Sequence, residues 1–279
     1  MRLRSLLFVP GDRPDRMAKA PGLGADALIL DLEDAVAPDA KPAARQAVAA
    51  FLAQSRDHGV QLFVRINPVD GPLATEDLAA ILPARPDGIV LPKAEGLVSL
   101  HALAARGVEH IPILPIVTET PTALFRLGEY AGSSLPLAGL TWGAEDLPAA
   151  IGATTAREAD GSYTAPYQLA RSLTLFAAHA AGTAAIETVY PDFRDLDGLA
   201  AYAARGQRDG FTGMMAIHPA QVPVINAAFT PSDQDIARAQ AIVDLFAANP
   251  GAGALQLDGK MVDAPHLKAA QALLARARA

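Results

Sequence analysis

The chain has 279 residues, 51% of them hydrophobic, which is enough for one large domain or two ordinary ones with a substantial core. It contains no cysteine, which excludes disulfides, thiolate nucleophiles and cysteine-ligated zinc. Its formal charge is −7, from 23 basic and 30 acidic residues, and this balance argues against nucleic acid as a partner because phosphate binding needs a basic face.

The apolar runs are all shorter than the roughly 20 residues that cross a membrane, so we expect no membrane partner. The N-terminal stretch MRLRSLLFVPGDR begins with basic residues, but its apolar run is too short for a signal peptide. We therefore expect a cytoplasmic protein.

Short apolar runs alternate with amphipathic helical patterns along most of the chain, as is typical of buried parallel strands joined by helices. Eight strands are predicted, at residues 6–9, 27–30, 62–66, 88–91, 113–117, 137–141, 184–188 and 214–217. Eight strand–helix units favour an α/β fold of the TIM (β/α)₈ barrel type, whose usual length is about 250 residues. A doubly wound open sheet is the alternative, and the lack of a G-x-G-x-x-G fingerprint after the first strand weakens it.

Two of the intervening helices have apolar stripes. In KPAARQAVAAFLAQSRDHG, Ala44, Val48 and Leu52 recur every four residues, and Gly59 is the expected helix end. In APYQLARSLTLFAAHAAG, Gly182 is the expected end. Four residues of this second helix are predicted to face the core: Leu169, Leu173, Phe176 and Ala180.

The barrel domain is expected to span residues 1–228, which leaves residues 229–279 as a C-terminal helical arm. Two helices are predicted in the arm, separated by the Gly-rich stretch GAGALQLDGKMVDAP. We interpret that stretch as a hinge, which would let the arm pack on its own barrel or on a neighbouring subunit.

In a TIM barrel the active site lies at the C-terminal ends of the strands. In ALILDLEDAVAP, a buried strand ends in three carboxylates, Asp31, Glu33 and Asp34. Other strand ends add further charged residues: Arg65, Lys93, Glu119, Glu145, Asp146, Glu187 and His218. Because carboxylates outnumber basic residues there and cysteine is absent, Mg²⁺ or Mn²⁺ is the predicted counter-ion.

Each of these residues also has a purely structural interpretation. The three carboxylates after the second strand are equally well explained as helix caps and as partners of Lys41 and Arg45. Glu119, taken alone, is better explained as a cap for the helix that begins TPTALFRL. Arg65 is explained by an ion pair at a strand end, although the Asn-Pro turn after it favours presentation to the site.

Seven segments together resemble the citrate lyase beta-subunit-like (CitE-like) family of Mg²⁺-dependent acyl-CoA lyases. They are RSLLFVPGDRPDRMAKA, DALILDLEDAVAPDAKPAAR, FVRINP, GIVLPKAE, TWGAEDLPAAIG, AIHPAQVPVIN and GKMVDAPHL, in family order over nearly the whole chain. Malyl-CoA lyases, citramalyl-CoA lyases and malyl-CoA thioesterases are similar in the same places. The resemblance implies a TIM barrel that binds one Mg²⁺ and a CoA thioester, commonly as a homotrimer.

The resemblance also implies roles for individual residues. Glu119 and Asp146 match the family's metal carboxylates, and Arg65 matches the arginine that contacts the substrate near the metal. Asp263 matches a catalytic aspartate that relatives supply from the C-terminal segment, often across a subunit boundary. Asp31, Glu33 and Asp34 match a motif expected to act on the substrate site through water or basic neighbours. The region that lines CoA is matched by Arg13, Arg16, Lys19 and Lys41.

The implied reaction is the reversible cleavage of a malyl-, citramalyl- or citryl-type 3-hydroxyacyl-CoA to an acyl-CoA and a 2-keto acid. Mg²⁺ on Glu119 and Asp146 would chelate the substrate, and Arg65 would stabilise the enolate oxygen. Asp263 is the first candidate for proton transfer at the acetyl carbon, and water and Glu119 are weaker candidates. Three alternatives stay open: a thioesterase on the same esters, a citrate lyase complex subunit acting on an acyl carrier, and a barrel that only binds ligand.

Overall fold

The structure is a computed structural model that describes residues 2–54 and 59–278. Its contacts divide the chain into two compact units. The first is Leu3–Asn226, and the second comprises the residues from Ala227 onward together with Arg2. Among the helices of these described ranges, none combines the length and the hydropathy needed to cross a membrane.

The first unit contains eight parallel strands. They are β1 (Ser5–Pro10), β2 (Ala27–Asp31), β3 (Gln61–Arg65), β4 (Gly88–Leu91), β5 (Ile113–Pro115), β6 (Leu140–Thr141), β7 (Ala185–Glu187) and β8 (Gly213–Ala216). Hydrogen bonds join them in the order β5-β4-β3-β2-β1-β8-β7-β6. Parallel bridges from Ile113 to Leu137 and from Ile116 to Thr141 join the two ends of this sheet, which closes it into a barrel. The predicted TIM barrel is confirmed.

Helices follow the strands, as the alternating pattern predicts. They are α1 (Pro14–Lys19), α2 (Lys41–Ala53), α3 (Leu73–Ile81), α4 (Leu97–Ala104), α5 (Pro121–Leu124), α6 (Asp146–Ile151), α7 (Ala165–Ala180), α8 (Leu196–Asp209) and α9 (Gln221–Ala228). Short 3₁₀ segments lie at Ala20–Leu23, Pro38–Ala40, Leu82–Ala84 and Leu127–Gly132.

The barrel interior is filled by side chains from its strands. One buried cluster joins Leu6 of β1, Ile29 of β2, Phe63 of β3, Leu114 of β5 and Ile186 of β7, among others. Because the helices contribute none of the buried residues in this cluster, it occupies the centre of the barrel. A packed interior leaves the open ends of the strands as the place for a site.

The stripe predicted to bury α7 is wrong, because the side chains of Leu169 and Phe176 are 59% and 65% exposed. The helix buries a different face instead: Tyr167, Ala170, Thr174, Leu175, Ala177 and Ala178. The predicted end of α7 is confirmed, since Gly182 has φ +65° just after the last turn.

The helix α2 agrees with its predicted stripe, since Ala44, Val48 and Leu52 are buried. It ends at Ala53 rather than near Gly59. The last part of the segment used to predict this helix, residues 55–58, lies outside the described residues.

The second unit contains α10 (Asp233–Ala248), β9 (Ala254–Leu257), β10 (Lys260–Asp263) and α11 (Ala264–Arg278). The predicted hinge is wrong, because β9 and β10 form an antiparallel hairpin. Its turn residues Asp258 and Gly259 have φ +50° and +77°, a conformation that the Asp-Gly pair favours. The unit buries a core of its own: Ala239, Ile242, Val262, Ala270 and Leu274.

Candidate active site

A cavity of about 660 Å³ opens at the C-terminal ends of the barrel strands. This is the end of the fold at which active sites lie. Seven of the residues predicted for the site line it: Arg16, Lys19, Asp31, Asp34, Arg65, Glu119 and Asp146. Glu145 and His218, which the strand ends also indicated, lie in the same wall.

Arg65 is held rigidly at this opening by two carboxylates. It ends β3 directly beside Asp31, the last residue of β2, because the two strands pair in that register. Its Nε and Nη2 each donate to one oxygen of Asp31 at 2.7 Å, and its Nη1 lies 2.9 Å from Glu33 Oε2. Burial alone would lower the pKa of Arg65, but the hydrogen bond and charge of Asp31 outweigh it and raise that pKa. The guanidinium is therefore permanently charged. The structural interpretation of Arg65, an ion pair at a strand end, is confirmed, and the same side chain also lines the cavity.

The loop that carries Glu33 is supported from beneath. Asp31 accepts the backbone N–H groups of Glu33 and Ala35, and Lys41 Nζ donates to the carbonyls of residues 32 and 33 at 2.8 Å. Lys41 is buried there with its ammonium committed to the loop backbone, and it lies outside the cavity lining, so its predicted contact with CoA stays a prediction. Arg45 pairs with carboxylates of α3 and not with this loop, so that structural alternative is wrong.

Glu119 follows β5 and is only 4% exposed. Its Oε2 accepts the backbone N–H of Lys93 at 2.5 Å. Thr120, and not Glu119, caps α5, because the Thr120 side chain accepts from the N–H of Ala123, so the capping interpretation of Glu119 is wrong. Gly143 makes room for the carboxylate, since a Cβ on Gly143 would lie 2.7 Å from Glu119 Cγ.

Asp146 begins α6, and its side chain is 34% exposed. Lys93 Nζ lies 2.8 Å from Glu33 Oε1 and 3.4 Å from Asp146 Oδ1. Lys93 therefore links three carboxylates, a role that sequence reasoning missed. Its place at the end of the fourth strand, among acidic strand ends, is the signal that was available.

We call six residues the mouth cluster, namely Asp31, Glu33, Arg65, Lys93, Glu119 and Asp146. Burial raises the pKa of Glu119 to about 8, and the charges of Asp146 and Glu33 add to this rise. Four carboxylates and two cations leave two negative charges unbalanced when all are ionised, which matches one divalent cation.

The chemistry of the donors also fits such an ion. Carboxylate oxygen is the ligand that Mg²⁺ and Mn²⁺ prefer. Within residues 2–54 and 59–278, no group of three or more acidic or histidine side chains is assembled as a metal site. Mg²⁺ takes one or two protein carboxylates and completes its shell with water and substrate, and Glu119 and Asp146 offer two carboxylates at the cavity.

The residues predicted to line CoA fall in different places. Arg16 and Lys19, both on α1, line the cavity. Arg13 instead forms an exposed ion pair with Asp15 at 3.2 Å. The positive charge that the structure brings to this wall thus comes from α1.

Asp263 belongs to the second unit, at the end of β10. Its Oδ1 lies 2.5 Å from His266 Nδ1, and this hydrogen bond holds the pKa of Asp263 below its usual value. Sequence reasoning missed His266, although its three-residue spacing from Asp263 at a helix start was visible.

Glu187, the acidic residue of β7, lies outside the cavity wall and is fully buried. It accepts hydrogen bonds from Trp142 and Tyr202 and pairs with Arg171 at 2.7 Å. Trp142 is therefore a hydrogen-bond donor as well as a space-filling residue.

Two family models match the chain. The HpcH/HpaI aldolase/citrate lyase model matches residues 4–219, and a model described as a C-C bond lyase of the TIM-barrel fold matches residues 162–279.

Three of the similar proteins match over nearly the whole chain and carry different names. The chain is 38% identical over 274 residues to a citrate lyase subunit beta-like protein of Mycobacterium tuberculosis, covering 97% of this chain and 94% of that one. It is 36% identical over 285 residues to a (3S)-malyl-CoA thioesterase of Cereibacter sphaeroides, covering 99% and 95%. It is 35% identical over 289 residues to the mitochondrial citramalyl-CoA lyase of Rattus norvegicus, covering 96% and 84%.

Among solved structures, the fold is similar to protein CitE from Mycobacterium tuberculosis in complex with magnesium, acetoacetate and coenzyme A. The TM-score is 0.84 at 36% identity, covering 100% of this chain and 99% of that one. The chain therefore belongs to the HpcH/HpaI aldolase/citrate lyase family of TIM-barrel carbon–carbon lyases.

Proposed function

We propose that this protein is a Mg²⁺-dependent lyase that reversibly cleaves a malyl-, citramalyl- or citryl-type 3-hydroxyacyl-CoA to an acyl-CoA and a 2-keto acid. The observation that carries this proposal is the cavity in which the fixed guanidinium of Arg65 shares a wall with Glu119 and Asp146. The similarity to a CitE that binds magnesium, acetoacetate and coenzyme A supports the same classes of ligand here.

Glu119 and Asp146 would hold the ion, for which Mn²⁺ is the alternative. When bound, such an ion supplies a Lewis acid toward the carboxylate and hydroxyl oxygens of the substrate. Lys93 fixes one oxygen of Glu119 through its N–H group, and the small Gly143 leaves space beside the other. Both features orient Glu119 before any ligand arrives.

Arg65 would stabilise the enolate oxygen of the acyl-CoA product. A guanidinium has five N–H donors; the hydrogen bonds to Asp31 use two of them, and Nη1 also forms an ion pair with Glu33. The remaining donors would serve the thioester oxygen of a substrate. Because Asp31 and Glu33 already fix the guanidinium, no reorganisation is needed as negative charge develops. In this proposal Asp31, Glu33 and Asp34 shape the substrate site, the first two by positioning Arg65.

Bond cleavage needs two proton transfers. The substrate hydroxyl would give its proton to the ionised carboxylate of Asp263 and become the keto oxygen, while the electron pair of the broken C–C bond passes into the enolate of the acyl-CoA. We propose that Asp263 then delivers a proton to the α-carbon, with Glu119 as the weaker candidate. Arg16 and Lys19 supply cationic groups suited to the CoA phosphates, and Arg13 extends that basic surface.

We also propose a homotrimer in which residues 1–228 form the catalytic barrel and residues 229–279 form an arm that packs on a neighbouring subunit. The family resemblance supports it, as does the separate core of the second unit, which carries Asp263. Light scattering coupled to size-exclusion chromatography measures the assembly directly. A monomeric mass at micromolar concentration would contradict the exchanged arm.

The deciding experiment is a product assay with Mg²⁺ and a panel of malyl-, citramalyl-, methylmalyl- and citryl-CoA, scored separately for keto acid and for free CoA. Keto acid together with acyl-CoA establishes the lyase and names its substrate. Free CoA without keto acid favours the thioesterase, the second candidate, which the Cereibacter sphaeroides relative supports. If neither product forms, the alternatives of an acyl-carrier substrate and of a barrel that only binds ligand are favoured.

Variants of the two aspartates test the assigned roles. We expect Asp263→Asn to reduce turnover roughly 10²–10⁴-fold while Mg²⁺ affinity is retained, as befits a proton-transfer group. We expect Asp146→Asn to lose both turnover and Mg²⁺ affinity. Calorimetric titration with MgCl₂ separates the two, and an equal loss of affinity in both variants contradicts the division.

A further inference from the structure

Lys93 contacts three acidic residues of the mouth cluster, and it uses both its side chain and its backbone to do so. Its Nζ lies 2.8 Å from Glu33 Oε1 and 3.4 Å from Asp146 Oδ1. Its N–H donates to Glu119 Oε2. Lys93 thus contacts every carboxylate of the mouth cluster except Asp31, which pairs with Arg65.

The backbone of Lys93 is unusual in a way that fits this placement. Its φ is +50°, in the left-handed region that residues with a side chain rarely adopt. Among the described residues, Arg85, which ends a 3₁₀ helix, and Asp258, in the β9–β10 turn, share this conformation, but both are exposed. At Lys93 the conformation directs the N–H to Glu119 while the side chain reaches Glu33, so surrounding contacts maintain the strain.

The three carboxylates differ in how far protein cations occupy them. Glu33 is 3% exposed, and its two oxygens face Arg65 at 2.9 Å and Lys93 at 2.8 Å. Asp146 has the longer contact of 3.4 Å and is one-third exposed. Glu119 has one oxygen committed to an N–H group.

We propose that Lys93 is a positioning residue that determines which carboxylates a divalent cation can use. Its ammonium, together with Arg65, occupies Glu33 permanently, but it holds Asp146 only loosely and gives up that contact when the cation arrives. Glu119 and Asp146 are then the pair left for the metal. The inference rests on the proposed function, in which these two residues hold the ion.

This role predicts effects of opposite sign on metal affinity and on metal-free stability. The ammonium competes with the cation for Asp146 and repels it, so its removal strengthens Mg²⁺ binding. The same removal takes a counter-charge from Glu33 and Asp146, so the metal-free protein becomes less stable. A lysine that merely packs in the wall would weaken both when it is replaced.

The test compares Mg²⁺ binding in the full chain without substrate. Lys93→Asn is the main variant, because asparagine tolerates the left-handed backbone, so the N–H to Glu119 is kept and only the ammonium is lost. We expect calorimetry to give roughly tenfold tighter Mg²⁺ binding, as loss of one nearby charge allows. We also expect a lower melting temperature without metal. Lys93→Arg, which keeps the charge, should have a Mg²⁺ affinity and a melting temperature close to those of the wild type. Lys268→Met, at an exposed lysine of α11, should change neither quantity.

Unchanged or weaker Mg²⁺ binding in Lys93→Asn overturns the proposal. Lys93→Gly, which also relieves the backbone, provides the same comparison if the asparagine variant folds poorly. The wild-type titration separates this inference from the proposed function. Absence of Mg²⁺ binding in the wild type contradicts the function, whereas wild-type binding without tightening in the variants contradicts only the role of Lys93.

Discussion

Two glutamates at strand ends, Glu119 after β5 and Glu187 in β7, are both nearly inaccessible, yet their surroundings differ. Glu187 accepts hydrogen bonds from Trp142 and Tyr202 and forms an ion pair with Arg171 at 2.7 Å. It also accepts the next backbone N–H along the chain. Its charge is matched and its oxygens are fully used, as a structural role requires.

Glu119 has few donors. It accepts one hydrogen bond, from the N–H of Lys93, and the charges of Asp146 and Glu33 lie near enough to disfavour its ionisation. Burial without matching donors is expensive. The comparison therefore indicates that a buried carboxylate is structural where donors meet it, and is available to a ligand where they do not.

The largest expected effect comes from Glu119→Gln. The amide cannot serve as an anionic ligand, so we expect Mg²⁺ affinity to be lost and turnover to fall at least about a thousandfold. The neutral side chain relieves repulsion with Asp146, so we expect no loss of unfolding free energy in the metal-free protein. Calorimetry, the product assay and urea denaturation in EDTA measure the three quantities, and retained Mg²⁺ binding would break the comparison.

The matched change Glu187→Gln should lower the stability of the protein and leave Mg²⁺ binding unchanged. It removes the charge that faces the partly buried Arg171, and we expect the free energy of unfolding to fall by about 2–3 kcal/mol, less than for a fully buried, isolated pair because Asp209 still contacts Arg171. Mg²⁺ affinity should stay at the wild-type value. A loss of affinity as large as in Glu119→Gln would show that the two regions are coupled.

The alternation of side chains along a strand explains why the sequence alone could not show that Glu119 faces the site and Glu187 does not. Both follow short apolar runs, and both were predicted to end at the site. Ile186 fills the barrel interior, so its neighbour Glu187 points to the opposite side, where α7 and α8 provide its partners. The strand was visible in the sequence, but its inward face depends on register across a strand of three residues, which periodicity alone does not set.

Other differences between expectation and structure have equally physical causes. The α7 prediction followed the apolar residues, but α7 buries the neighbouring face that carries Tyr167 and Leu175 and leaves Phe176 exposed. The hinge prediction followed glycine content and overlooked the Asp258-Gly259 pair, a strong local signal for a hairpin turn. By contrast, the pairing of Arg65 with Asp31 could be anticipated once β2 and β3 were recognised as neighbours, because parallel strands align their ends.

A smaller effect is expected from filling the space that Gly143 leaves beside the Glu119 side chain. In Gly143→Ala the new methyl group would lie 2.7 Å from Glu119 Cγ and displace that carboxylate. We expect Mg²⁺ affinity to weaken about 10–100-fold, the scale seen when residues that orient a metal ligand are lost. Gly128→Ala is the matched control, since its methyl group meets open space, and its affinity should be unchanged. Equal titrations for the two variants would mean that Glu119 does not need this clearance.

The smallest effect tests whether the surplus of donors at Glu187 matters. Tyr202→Phe removes one hydroxyl donor, 2.9 Å from Glu187 Oε1, without changing the shape of the ring. Because the charge of Arg171 remains, we expect the free energy of unfolding to fall by only about 1 kcal/mol, with turnover unaffected. Tyr190→Phe removes a hydroxyl that donates to the exposed Asp195, and it should cost less than about 0.5 kcal/mol. Urea denaturation measures both changes. If the two variants lose the same free energy of unfolding, a hydrogen bond to the buried Glu187 stabilises the protein no more than an exposed one, and the contrast with Glu119 depends on charge alone.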